Sequence, residues 1–210
     1  MNKIMVGKKA PNFTTSAVIN GKEIINNFTL NEFLGKNYIL LIFYPKDFTF
    51  VCPTELHAFQ NEIEEFESRN VQLIAISTDT EQSHLGWLQV PKNQGGIKGI
   101  TYPLVSDINK TISYDYGVLV GNINFKKNIL KVEGELIAYR ALFLIDKKSI
   151  IRHQLINDLP LGRSISESIR IIDALQHFEK NGEVCPANWI KGKKAIKTNH
   201  KSISKYLSNN

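Results

Sequence analysis

The feature that most constrains this chain is the run Tyr38-Ile39-Leu40-Leu41-Ile42-Phe43-Tyr44, followed shortly by a cysteine at position 52. A continuous apolar run this short cannot cross a membrane, and without alternation it reads as a strand buried on both faces. Pro45 ends it. Past Cys52, the residues Leu56, Phe59, Ile63 and Phe66 recur at offsets of three and four, which predicts a helix with one apolar face that stops near Asn70. Pro53 suits the first helical position, where a missing N–H is no loss. Cys52 is therefore expected where unpaired backbone N–H groups and the positive end of a helix dipole favour an anion. Because the thiolate is the reactive form of cysteine, Cys52 is the candidate nucleophile.

A chain of 210 residues has room for one sizeable core, and its composition suggests one domain with a tail. The expected division is a main domain over residues 1–180 and an extension over 181–210. No stretch has the length of a membrane span, and Met1 to Gly7 lacks the apolar region of a secretory signal, so the expected home is the cytosol. Two cysteines do not make a disulfide scaffold. In a reducing compartment a bond between them is catalytic and transient rather than structural.

The net charge of +6 hints at nucleic acid, but its location argues otherwise. Lys191, Lys193, Lys194, Lys197, Lys201 and Lys205 follow Cys185 with no acidic residue among them. Setting these six aside leaves 20 of the 26 basic residues against 20 acidic ones, a neutral body with a basic tail. No aromatic interleaving supports base stacking. The tail is read as a solvated or loosely docked segment, with no nucleic acid and no membrane as partner.

Around Cys52 the residues Phe43-Tyr44-Pro45-Lys46-Asp47-Phe48-Thr49-Phe50-Val51-Cys52-Pro53-Thr54-Glu55 resemble the active-site segment of the typical two-cysteine peroxiredoxins, the alkyl hydroperoxide reductase C and thiol-specific antioxidant family. The pattern of proline, three residues, threonine, two residues, cysteine falls on Pro45, Thr49 and Cys52. Gly7-Lys8-Lys9-Ala10-Pro11-Asn12-Phe13 resembles the opening of the same family. The resemblance implies an α/β thioredoxin-like fold with an N-terminal hairpin, an insertion before the last hairpin and a C-terminal extension.

Asn20-Gly21 between two short β-type runs is a strong hairpin signal, read here as a lid-like N-terminal hairpin. Val71 to Ser77 reads as a second buried strand, parallel to the first. Thr80 to Gln89 predicts a helix carrying His84; the family activates its thiol without histidine, so His84 is read as structural. Gln94 to Ile100 is a glycine-rich loop without the strand-before and helix-after context of a phosphate site. It is similar to a family segment associated with over-oxidation, interrupted here by Lys98. Tyr102 to Asp107 reads as a short strand and turn, and Asn109 to Tyr116 as a short helix.

Gly121 to Glu135, with Lys126, Lys127, Lys131, Glu133 and Glu135, makes one connection about a dozen residues longer than the family pattern. It is expected to be a surface loop or an extended hairpin. Tyr139 to Asp146 and Ile150 to Gln154 read as an antiparallel hairpin. Arg140 is out of place in that apolar strand and demands an anionic partner. From the residues alone it could be a core salt bridge; the resemblance implies that it sits over the reactive thiol. Ser164-Ile165-Ser166-Glu167 has capping-box spacing before an apolar helical stripe. The preceding Asp158-Leu159-Pro160-Leu161-Gly162-Arg163 resembles the family segment that supplies a second active-site arginine, Arg163. There is no Cys-x-x-Cys, so an ordinary thioredoxin is excluded.

In the resembling family the Val184-Cys185-Pro186 cysteine is the resolving one, and Lys205-Tyr206-Leu207 is similar to a terminal motif that packs over it. The resemblance thus implies a thiol peroxidase reducing hydrogen peroxide and organic hydroperoxides. Cys52 would become a sulfenic acid, Thr49 and Arg140 would orient and charge-stabilise, Pro45 would shield, and Glu55 with Arg163 would hold Arg140. Cys185 of a neighbouring subunit would close a disulfide, which thioredoxin or a dedicated flavoprotein would reduce. A homodimer assembled into a decamer of five dimers is expected, with no cofactor and no metal. A peroxide-triggered holdase chaperone is the alternative.

Overall fold

A computed structural model describes residues 4–126 and 129–208, which form two compact units dividing between Arg163 and Ser164. The first unit is built on one seven-stranded sheet. Its strands are β1 (Thr14–Ile19), β2 (Glu23–Thr29), β3 (Tyr38–Phe43), β4 (Val71–Ser77), β5 (Leu104–Ser106), β8 (Arg140–Ile145) and β9 (Ile151–Asn157), in the spatial order β2-β1-β5-β4-β3-β8-β9. β6 (Asn122–Lys126) and β7 (Ile129–Glu133) form a separate two-stranded ribbon.

β3 sits between its parallel partner β4 and its antiparallel partner β8. All six of its residues are buried, as the unbroken apolar run requires. The parallel pairing Tyr38↔Val71 through Phe43↔Ile76 requires a crossover between the two strands. That crossover carries the thiol. It runs through α1 (Cys52–Asn61) and α2 (Ile63–Ser68), separated at Glu62, whose backbone (φ −103°, ψ 17°) leaves helical values. The single helix expected to reach Asn70 is thus two, although Leu56, Phe59 and Phe66 are fully buried as the stripe predicted. Ile63 is half-buried.

The N-terminal hairpin is not a lid. β1 pairs with β5 and so extends the main sheet, with β2 as its edge. In the three-residue connection, Asn20 and Gly21 both have positive φ (52° and 69°), and the Lys22 N–H donates to the Ile19 carbonyl at 3.1 Å. A Cβ on Gly21 would lie 2.6 Å from the Ile100 carbonyl oxygen. Beneath the sheet, Phe43, Tyr116 and Phe143 meet with ring centroids 5.0–5.7 Å apart. Each such pair contributes about 0.5–1.5 kcal/mol beyond its buried area.

The other α-helices of this unit among the described residues are α3 (Glu81–Gln89) and α4 (Thr111–Asp115). Thr80 caps α3 by accepting from the Ser83 N–H. The Gly95–Gly96 turn packs back on it: Trp87 donates to the Gly95 carbonyl at 3.0 Å. A Cβ on Gly96 would collide with Val90. The long connection after α4 is the extended hairpin of the two alternatives, β6 against β7; Lys127 lies outside the described residues.

In the second unit, α5 (Ile165–Asn181) starts at Ser164, whose hydroxyl accepts from the Glu167 N–H, and stops at Gly182 in the left-handed conformation. Val184 bridges Ile196. The basic tail is more ordered than a solvated segment: α6 (His200–Leu207) is capped by Asn199, whose side chain accepts from Ser202 N–H. No helix among the described residues is long and apolar enough to cross a membrane.

Candidate active site

Cys52 is the first residue of α1, one position earlier than the placement of Pro53 suggested. Its side chain is fully buried and it is a free thiol. β3 delivers the chain to this point, and the segment 44–51 then bends with Phe48 in the left-handed region (φ 53°). Such a backbone in a bulky residue persists only where its surroundings hold it.

Those surroundings are polar and buried. Tyr44 donates its hydroxyl to Asp47 Oδ1 at 2.9 Å, and His84 Nδ1 lies 2.7 Å from Asp47 Oδ2. The Asp47 N–H donates to Asp79 Oδ2 at 2.8 Å. Burial, with the neighbouring Asp47 charge, pushes the Tyr44 phenol well above its ordinary value, so Tyr44 remains a donor. His84 is accordingly part of the scaffold that shapes the turn. Asp47 and Tyr44 were not singled out from sequence; an aspartate following an apolar strand by four residues is the signal that was there.

Opposite the thiol stands Arg140, the first residue of β8 and almost wholly buried. Its Nη1 donates to Cys52 Sγ at 3.2 Å and to Glu55 Oε2 at 2.8 Å, and its Nε donates to the Leu159 carbonyl. Glu55 lies one helical turn beyond Cys52 on α1. Its carboxylate also takes Arg163: the Arg163 backbone N–H and Nε both reach Oε1, and Nη2 reaches Oε2, each at 2.8 Å. Arg163 Nη1 is anchored in turn to the Phe43 and Ala141 carbonyls, both at 2.8 Å. The sheet therefore holds Arg163, Arg163 holds Glu55, and Glu55 holds Arg140 against the sulfur.

Electrostatics follows the geometry. Burial alone would raise the Glu55 carboxyl, but the Arg163 hydrogen bonds and charge, helped by Arg140, hold it below the ordinary glutamate value. Two guanidiniums face one carboxylate, leaving net positive charge beside Cys52. That excess is complementary to a thiolate and to the oxygens of a bound peroxide.

The expected residues Cys52, Glu55, Arg140 and Arg163 thus converge. Pro45 is buried, and its carbonyl accepts from Thr78 at 3.4 Å. The Thr49 hydroxyl donates to the Lys46 carbonyl at 3.0 Å rather than to sulfur. Cys185 belongs to the second unit, where it is partly exposed and its Sγ donates to the Ala174 carbonyl at 3.6 Å. Missed at the sequence level were the carbonyls of Leu159, Phe43 and Ala141, which carry no side-chain signature.

Residues 6–154 match the model of the AhpC/TSA family. The chain belongs to the AhpC/TSA family. Residues 174–209 match the C-terminal domain of 1-Cys peroxiredoxin, although this chain has a cysteine within that range. The chain is 46% identical over 207 residues to alkyl hydroperoxide reductase C of Helicobacter pylori, covering 99% of this chain and 98% of the relative. It is 44% identical over 204 residues to thioredoxin peroxidase of Echinococcus granulosus, covering 97% and 98%. Among solved structures, the reduced 2-Cys peroxiredoxin of Plasmodium vivax superposes with a TM-score of 0.88 at 44% identity, covering 98% of this chain and all of that one.

The fold is accordingly thioredoxin-like, and this AhpC/TSA protein is a peroxiredoxin that reduces peroxides. The holdase alternative gains no support from these relatives.

Proposed function

We propose that Cys52 is the peroxidatic nucleophile. Its thiolate attacks one peroxide oxygen, the O–O bond breaks, and the other oxygen leaves with a proton as water or an alcohol, so that Cys52 becomes a sulfenic acid. Arg140 stabilises both the thiolate and the charge developing on the leaving oxygen, and Glu55 with Arg163 fixes its position. Thr49 bounds the peroxide site through its hydroxyl and Pro45 shields it. Cys185 of a neighbouring subunit attacks the sulfenic sulfur and closes a disulfide. An external dithiol of the thioredoxin type, or a dedicated flavoprotein, reduces it by exchange.

The observation that carries this reading is the 3.2 Å contact of Arg140 with the buried sulfur, made by a guanidinium already locked by Glu55. A preorganised donor in a dry site is the arrangement that lowers such barriers most. We infer a homodimer that assembles as a decamer of five dimers, working in the cytosol. Its segment 181–210 serves as the resolving extension of the domain over 1–180.

The test is to add one equivalent of hydrogen peroxide to the reduced protein and to separate the products on a denaturing gel without reductant. A band at twice the chain mass, shown by mass spectrometry to link Cys52 to Cys185, is expected. Both thiols remaining reduced would overturn the assignment, as would undiminished peroxide consumption by Cys52→Ser.

A further inference from the structure

In the cycle proposed above, Cys185 has to act as a nucleophile in its turn. Arg170, in its own unit, is placed for the task. Arg170 lies one helical turn before Ala174 on α5, and the Ala174 carbonyl is the group that takes the Cys185 thiol. Residues four apart share a helix face. Arg170 is held from one side by Glu167, with Nε on Oε2 at 2.6 Å and Nη2 on Oε1 at 2.7 Å. From the other side its Nη1 donates to the Trp189 carbonyl at 3.1 Å. That carbonyl belongs to the turn Cys185-Pro186-Ala187-Asn188-Trp189, so the guanidinium bridges α5 to the segment that carries the second thiol.

We propose that Arg170 is the positioning residue of the resolving step, pinning the Cys185 turn to α5 and supplying the positive charge that favours the attacking thiolate. Burial pushes the Cys185 thiol up, the Arg170 charge pulls it back, and the Glu183 carboxylate adds to the rise. Glu183 is itself 3.3 Å from His177 Nε2 on α5. Arg170 and Glu183 thus act on this sulfur with opposite charges, and each is paired in turn, Arg170 with Glu167 and Glu183 with His177. The step balances without further reagents: the Cys185 thiolate attacks the Cys52 sulfenic sulfur, the S–O bond breaks, and the departing hydroxide takes a proton to leave as water. The sulfenic sulfur is reduced and the Cys185 sulfur oxidised to the disulfide level.

This inference rests on the Cys52–Cys185 cycle proposed above, and two measurements separate their failures. In Cys52→Ser protein, the rate of Cys185 alkylation by iodoacetamide is followed against pH with Arg170 present, as Arg170→Gln and as Arg170→Lys. The midpoint reads the charge on the sulfur whatever the accessibility. Arg170→Gln is expected to move it to higher pH, with alkylation at neutral pH falling about three- to tenfold, and Arg170→Lys to recover part of the loss. In protein with both cysteines, Arg170→Gln is expected to slow disulfide closure after one equivalent of peroxide by a similar factor, leaving the first peroxide turnover unchanged. Raising the pH should close the gap.

A midpoint indifferent to Arg170 overturns the inference with the cycle intact. A deficit equal at every pH overturns the charge role in favour of a merely structural one. If the unsubstituted protein forms no Cys52–Cys185 disulfide, the cycle itself falls, and the catalytic meaning of Arg170 falls with it.

Discussion

The two thiols of this chain live in opposite surroundings, each within its own unit. Cys52 is fully buried at the first residue of a helix, under a guanidinium that is itself clamped by a carboxylate shared with a second arginine. Cys185 is partly exposed in a turn, weakly bonded to one helix carbonyl at 3.6 Å, beside an arginine whose side chain keeps a quarter of its surface in solvent. The first arrangement holds its thiol fixed against a charged donor, as the proposed attack on a small substrate requires. The second leaves its thiol partly open to a partner, as the proposed disulfide step requires.

The largest test of the contrast falls on Glu55. In Glu55→Gln two buried guanidiniums lose their shared anion, and breaking a buried ion network of this kind costs about 3–5 kcal/mol. Chemical denaturation should show that loss, whereas Glu167→Gln, in a half-exposed pair with Arg170, should cost only about 1 kcal/mol. The pH dependence has a definite sign. Folding lowers the Glu55 carboxyl below its ordinary value of 4.5, so the unfolded chain takes up the proton first. The contribution is whole above the ordinary value and is lost as pH falls through the folded one. Acid unfolding should therefore begin below about pH 4.5, and Glu55→Gln should lack that component. Equal stability losses at Glu55 and Glu167 would erase the distinction between the two sites.

Next in size is Arg140→Gln, which removes the charged donor facing the sulfur. Loss of one preorganised donor of this type costs about 10²–10³ in rate, measured as peroxide consumption in a single turnover. Arg140→Lys should recover little, since lysine cannot serve sulfur, carboxylate and carbonyl from one planar fork. The smallest effect is expected at the second thiol. Cys185→Ala should change stability by less than about 1 kcal/mol, given one weak hydrogen bond at a partly exposed site. It should also preserve the first turnover while abolishing recycling by an external dithiol.

Much of this architecture was readable in advance for local reasons. The apolar run 38–44, the Asn20-Gly21 turn and the Ser164 cap each encode their conformation in neighbouring residues, through burial pattern, positive φ and an N-cap oxygen. Arg140 advertised itself as a cation in a run of buried side chains. The misreadings are equally physical. The stripe Leu56, Phe59, Ile63 and Phe66 keeps helical spacing across Glu62, so apolar periodicity could not reveal the interruption there. The hairpin β1–β2 was recognisable as a hairpin, yet its place at the edge of the main sheet depends on pairing with β5, some eighty residues later.

The sequence by itself determined the strand, the turn and a thiol at a helix start, because these depend on residues a few positions apart. That Arg140 faces that thiol and that Glu55 with Arg163 holds it was implied by the family resemblance and by nothing local in the sequence; the tertiary structure supplies the physical reason. That convergence depends on the antiparallel register of β8 against β3, which pairs Ala141 with Phe43 and so brings the two carbonyls that anchor Arg163 together. Sheet register is a property of the whole packed core, and backbone carbonyls leave no mark in the sequence to announce it.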